Sequence, residues 1–266
     1  MSMSFFWQFV LVPCFSASFA AISAAPFGAI ISWRKLVYFG EALSHSAWLG
    51  IAIALFFNLP IYVGIWLTTA LLITLLFLLK NKSNTDSNNI LGTLSHAMLA
   101  FGVIALAKME NIRRDLFTYL FGDILNTTSS DLILIFFVSV ISLFILYFLW
   151  NSIILLTVSE AIAHTEIVKI KYIEAIFLVL LGIFTGIMMQ FLGLMLIMSF
   201  LIIPVQAAAK IAKTPEQCIF FAACIAVICV YLGIFSAFIF DFPVAPAIVA
   251  VMVIPYFFLY FCKKSA

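Results

Sequence analysis

The sequence predicts an all-α protein, a polytopic bundle of about eight or nine transmembrane helices. Three observations carry this expectation. Hydrophobic residues make up 66% of the 266-residue chain and mean hydropathy is +1.27, well above the roughly 45–50% apolar usage of soluble domains. Apolar runs of about 20 residues, the length that crosses a hydrocarbon core, recur from one end to the other and leave no room for a soluble domain. Charged residues amount to only 9% and gather in the breaks between the runs.

Taken in order, the expected segments are 5–32, 38–57, 60–79, 90–107, 131–157, 172–189, 191–209, 216–240 and 243–262. The first is too long for a signal-peptide core and has no small-residue cleavage site after a short basic region, so it reads as a mature span. The breaks carry turn chemistry: Asn58–Pro60, the polar run Lys80–Asn89, Ala212–Gln217, and "DFPVAP" at Asp241–Pro246. Only Lys108–Asp131 is longer than a turn; its "YLFGD", Tyr119–Asp123, pairs a hydrophobic cluster with an acid and suggests a loop folded back into the bundle. The segments 172–189 and 191–209 join with almost no loop around Gln190, and if one is re-entrant the count is eight.

Charge placement orients the bundle. Basic pairs at Arg34/Lys35, Lys80/Lys82, Lys169/Lys171, Lys210/Lys213 and Lys263/Lys264 put ten of the thirteen cations on every second connection. By the positive-inside rule those connections are cytoplasmic, and Lys108, Arg113 and Arg114 share an outer loop. The net charge of +2 implies no nucleic-acid partner. The five cysteines form no C-x-x-C pair and sit in or beside apolar segments, so they read as small buried hydrophobes. No G-x-x-x-x-G-K-[ST] motif occurs, so any nucleotide-driven step needs another polypeptide.

Candidate chemistry centres on "YFGEALSHSAWLG", residues 38–50, where Glu41 and His45 stand four apart in an otherwise apolar stretch. That spacing separates two side chains by only about 40° around a helix axis, so both reach one face. A charge deep in a bilayer costs about 2.5–3.5 kcal/mol on insertion scales, so such a group is expected to face the bundle interior. Carboxylate with imidazole suits a borderline divalent metal such as zinc. A proton relay, or a solvated charge at a helix end, remains open from these residues alone. His96 could share the depth of His45, as a second donor or as a hydrogen-bonding packing residue. "GEALSHSAWLGIAIAL" at 40–55 is echoed by "GTLSHAMLAFGVIAL" at 92–106, too briefly to define a repeat. Asp123 is a further acid of the outer loop, read first as structural. Ser159–Lys171 reads as a short exposed cytoplasmic helix with an N-cap-like Ser159. Small residues at helical spacing, such as Gly182 and Gly186, suit close helix packing.

"WRKLVYFGEALSHSAWLGIA", "DLFTYLFGDIL", "LGLMLIMSFLIIPVQAAAKIAKTPEQ" and "FSAFIFDFPVAP" follow one another over nearly the whole chain. In order and spacing they resemble the permease subunit of the bacterial ABC importers for zinc, manganese and iron, most of all those of high-affinity zinc uptake. The resemblance implies an ABC importer permease fold and a homodimer in the bacterial inner membrane. It implies two cytoplasmic ATPase subunits, a periplasmic metal-binding protein, and transported zinc rather than a permanently bound cofactor. Glu41 and His45 match the family's acidic and histidine positions in the translocation path, with His96 and Asp123 as further candidates. Ser159, Glu160, Ala161, Ala163 and His164 match its ATPase-coupling segment, at about 158–171. The sequence departs from the pattern twice: Glu41 stands where Asp is usual, and His164, Thr165 and Glu166 stand where the coupling loop tends to have glycine. The alternatives are a manganese or iron permease of the same family and an ion-coupled secondary transporter. An intramembrane metalloprotease lacks its H-E-x-x-H.

Overall fold

A computed structural model of the chain describes residues 10–82, 87–109, 121–158 and 170–262. Among these are eight α-helices, α1 Val12–Trp33, α2 Val37–Phe56, α3 Ile61–Lys82, α4 Ser87–Ala107, α5 Ser129–Val158, α6 Ile170–Ala208, α7 Pro215–Phe240 and α8 Val244–Cys262, with a 3-10 turn at Ile124–Asn126 before α5. All eight are long and apolar enough to cross a membrane.

The segments expected at 172–189 and 191–209 meet without a loop in α6, as two helical arms joined across a kink at Gly193, so eight helical elements stand where nine apolar segments were expected. Gly193 alone interrupts α6, at φ 76° and ψ 160°, a region closed to side-chain-bearing residues. A single glycine therefore takes the place of the loop.

The helix ends follow from local chemistry. Thr214 caps α7: its hydroxyl accepts the Gln217 N–H (3.2 Å) while the Gln217 side chain accepts the Lys213 N–H (3.0 Å), and Pro215 sits where a missing N–H is harmless. At the start of α5 the exchange is fully reciprocal: Asp131 accepts the Thr128 N–H and the Thr128 hydroxyl accepts the Asp131 N–H. Asn58 and Asp241, both at positive φ, end α2 and α7. Asp241 is thus a helix terminator.

The chain divides into two compact units. The first comprises Met1–Ser32, Leu116–Leu143 and Met188–Ala266. In it α1 is buried on all but one narrow strip, where Phe15 and Ile22 are exposed, since its run of Ala, Ser and Gly lets neighbours approach closely. A side chain at Gly28 would strike the Leu201 carbonyl, and about one turn further along both helices Gln206 donates to the Ser32 hydroxyl (2.8 Å), so α1 and the 194–208 arm of α6 run parallel. Ser23 and Ser139 join α1 to α5 through their hydroxyls at 3.1 Å, and Gly233 seats α7 on Ile248 of α8. Gly122, at φ 70°, lies against the backbone of Leu192 and Gly193, and Ile124 beyond it is buried. The "FGD" end of the outer loop does fold back onto a helix, as its composition suggested.

The second unit comprises Trp33–Asp115 and Phe144–Ile187. Its core is the packing of α2 against α3 and α4. Gly50 and Gly64 bring α2 and α3 together, and Gly182 and Gly186 of α6 lie against Thr69 and Trp66 of α3, the small-residue packing expected of that pair. Arg34 donates to Glu174 at 2.8 Å, with Lys80 3.8 Å from the same carboxylate oxygen. This ion cluster ties the chain just after α1 to the ends of α3 and α6. The outward sides of α5, α7 and α8 are covered with exposed Phe, Ile and Leu, as a hydrocarbon solvent requires.

Candidate functional site

The site lies in the second unit and is built by α2 and α4. On α2 the buried positions Phe39, Ala42, Leu43, Ser46, Ala47 and Gly50 follow the helical period and face the neighbouring helices. Glu41 and His45 fall beside this stripe, so Glu41 is exposed and His45 is half-buried. Among the described residues Glu41 makes no hydrogen bond or ion pair, while lying within electrostatic range of the His45 ring.

On α4 the buried stripe is Ile90, Leu91, Ser95, Met98, Gly102 and Leu106, again at helical spacing. Ser95 therefore points at α2, and its hydroxyl lies 2.7 Å from His45 Nδ1. His96, the next residue, is exposed, and its ring centroid is 5.8 Å from that of His45 with the planes tilted by 39°. Gly102 packs on the backbone of Trp48 and Leu49, so α2 and α4 run in the same direction in close contact. The two Leu-Ser-His tripeptides, 43–45 and 94–96, thus meet side by side. The rings of His45 and His96 are thus neighbours, with Glu41 one turn before His45 on α2.

Asp123 belongs to the first unit and occupies the position before the 3-10 turn, where its carboxylate accepts the Asn126 side-chain amide at 2.6 Å. The coupling positions Ser159, Glu160, Ala161, Ala163 and His164 lie outside the described residues. No group of three or more His, Cys, Asp or Glu residues close enough to hold a metal ion occurs among the described residues. What α2 and α4 present is a partial donor set: one carboxylate and one imidazole on one face, with a second imidazole adjacent. Sequence reasoning missed Ser95, although the shared Leu-Ser-His tripeptide was its signal.

Comparison with known proteins bears on the whole chain. It is 33% identical over 229 residues to the high-affinity zinc uptake system membrane protein ZnuB of Haemophilus influenzae, covering 86% of this chain and 88% of that protein. It is 36% identical over 230 residues to the protein of the same name from Buchnera aphidicola subsp. Schizaphis graminum, with the same 86% and 88% coverage. In fold it is similar to a chain of PsaBC from Streptococcus pneumoniae in complex with Fab, with a TM-score of 0.85 at 23% identity over 99% of this chain and 97% of that one. With residues 7–263 matching the pattern of the ABC 3 transport family on an all-helical, multi-pass membrane fold, the chain belongs to that family.

Proposed function

We propose that this protein is the permease subunit of an ABC importer that moves zinc across the bacterial inner membrane, with Glu41 and His45 as its transient metal site. The observation that carries the proposal is an exposed carboxylate one helical turn from an imidazole, on a helix otherwise made for lipid. A carboxylate facing hydrocarbon would be expensive, so this face of α2 looks onto a polar path or a second chain. The incomplete donor set among the described residues favours the second chain. A symmetric pair supplies two carboxylates and two imidazoles, the four ligands of a tetrahedral zinc site. Glu41 offsets the charge of the dehydrated ion, and His45 binds as neutral imidazole. Both zinc uptake relatives share most of their length with this chain.

ATP hydrolysis is assigned to two cytoplasmic ATPase subunits docked on the segment from Ser159 to Lys171, and delivery of the ion to a periplasmic binding protein. The test is the zinc content of the purified permease–ATPase complex, wild type against a Glu41→Gln/His45→Ala double variant. Zinc present in the first and absent from the second is the expected result. Equal zinc in both overturns the assignment of the site, and manganese or iron in place of zinc overturns the assignment of the cargo.

A further inference from the structure

We infer that Ser95 is a positioning residue for the cargo ion: its hydroxyl accepts the Nδ1–H of His45 and leaves Nε2, with its lone pair, to meet the metal. The inference rests on the reading of His45 as a ligand and adds to it the residue that selects its tautomer. A neutral imidazole carries one ring proton and binds metal only through the other nitrogen. The 2.7 Å contact between His45 Nδ1 and Ser95 Oγ keeps Nδ1 occupied. For Nε2 to bind, Nδ1 must donate and the serine oxygen accept. Metal-ligating histidines regularly hand their second nitrogen to such a partner, and its loss weakens metal affinity by roughly 10–100-fold.

The neighbouring serines show that this contact is particular. Ser44, in the matching tripeptide of α2, turns back on its own helix and donates to the Gly40 carbonyl at 3.2 Å. Ser46 does the same to Leu43 at 2.9 Å. Ser95, only 1% exposed, reaches instead across to a ring fifty positions earlier in the chain. The register that allows this is held two turns further on, where Gly102 lets the α4 backbone rest on Trp48 and Leu49. Of the two adjacent histidines, His45 is half-buried with a fixed partner, and His96 is exposed beside it. His45 is therefore the imidazole whose orientation the protein specifies.

The experiment measures equilibrium Zn2+ binding to the purified permease–ATPase complex, together with ATP-driven Zn2+ uptake when that complex is reconstituted with its binding protein. Ser95→Ala is expected to raise the Zn2+ dissociation constant about tenfold with the melting temperature close to wild type. Ser95→Thr, which keeps an acceptor oxygen, is expected to restore affinity. If Ser95→Ala does not assemble, Ser95→Gly, which likewise removes the acceptor oxygen and adds no metal ligand, is expected to give the same loss of affinity. Wild-type affinity in the variant that assembles overturns the inference, as does a lower melting temperature with affinity unchanged, which would make the contact packing alone. His45→Ala separates this failure from that of the underlying reading. Unchanged Zn2+ binding in His45→Ala removes the metal site itself. Loss of binding in His45→Ala with wild-type binding in Ser95→Ala removes only the role of Ser95.

Discussion

Glu41 is the residue on which the transport reading turns, because its exposure is at odds with the helix that carries it. Glu41→Gln keeps the shape and removes the charge that offsets the ion, and His45→Ala removes the nitrogen donor. Each is expected to lower zinc uptake by cells by at least about 10-fold, the scale of a lost contribution to a metal site, with protein level and complex assembly unchanged. Glu41→Asp, which shortens the reach and keeps the carboxylate, is expected to retain measurable uptake. Cellular accumulation of a zinc radioisotope beside membrane immunoblots checks all three, and near-normal accumulation in both loss-of-donor variants would sink the site. Glu41 and His45 were legible in the sequence because a charged residue and an imidazole at helical spacing stand out against an apolar background. Ser95 was not, because a serine in an apolar helix ordinarily bonds its own backbone, as Ser44 and Ser46 do. Its partner lies on another helix, and only the register of α2 against α4 reveals the contact.

At the scale of elements, the ion cluster of Arg34, Lys80 and Glu174 joins three helix ends in the second unit. The side chains of Arg34 and Glu174 are only 10% and 13% exposed, whereas that of Lys80 is 38% exposed, so the short Arg34–Glu174 pair dominates. Removing one partner of a buried pair leaves an uncompensated charge and costs about 3–5 kcal/mol, whereas replacing both by apolar residues of similar size is often neutral. Glu174→Gln is therefore expected to destabilise the purified protein by roughly 3 kcal/mol, at the lower end of that range because some solvent reaches the pair. The double variant Arg34→Met/Glu174→Met is expected to recover most of the loss. Thermal unfolding in detergent reads both, and equal stabilities for wild type and Glu174→Gln would show the pair to be energetically idle. The segment boundaries were legible to within a few residues, because Pro, Asn and charged residues punctuate apolar runs. The pairing of Arg34 with Glu174 was not, since one carboxylate among many breaks carries no sign of its partner.

For the whole molecule, what could be read in advance was the fold class and the order of the spans. What could not was the joint within α6: the sequence shows two apolar segments meeting with almost no loop around Gln190, and the break falls at Gly193. Its consequence reaches both the coupling segment and the topology. If Ser159–Lys171 is the ATPase contact, Ala161→Glu or Ala163→Glu should abolish transport and co-purification of the ATPase, while the permease still inserts in the membrane. Retained ATPase binding would move the interface to the Lys80–Asn89 loop. That docking requires both segments to face the cytoplasm, and the side on which the chain emerges after α6 decides whether the charge pattern holds to the end. Run straight, 39 residues would extend roughly 58 Å, about twice a hydrocarbon core; broken at Gly193, its arms are roughly 34 Å and 22 Å long. In the first unit the second arm runs parallel to α1, and each is followed by a basic pair, Arg34/Lys35 and Lys210/Lys213. Parallel helices with cations at the same end should finish on the same side. A topology reporter fused after Lys213 is thus expected to be cytoplasmic, as are fusions after Lys82 and Lys264, while one inserted at 111–115 is external. An external signal after Lys213 alongside a cytoplasmic one after Lys82 would mean that α6 crosses once as a single bent span, which reverses α7 and α8 and moves the C-terminus outside.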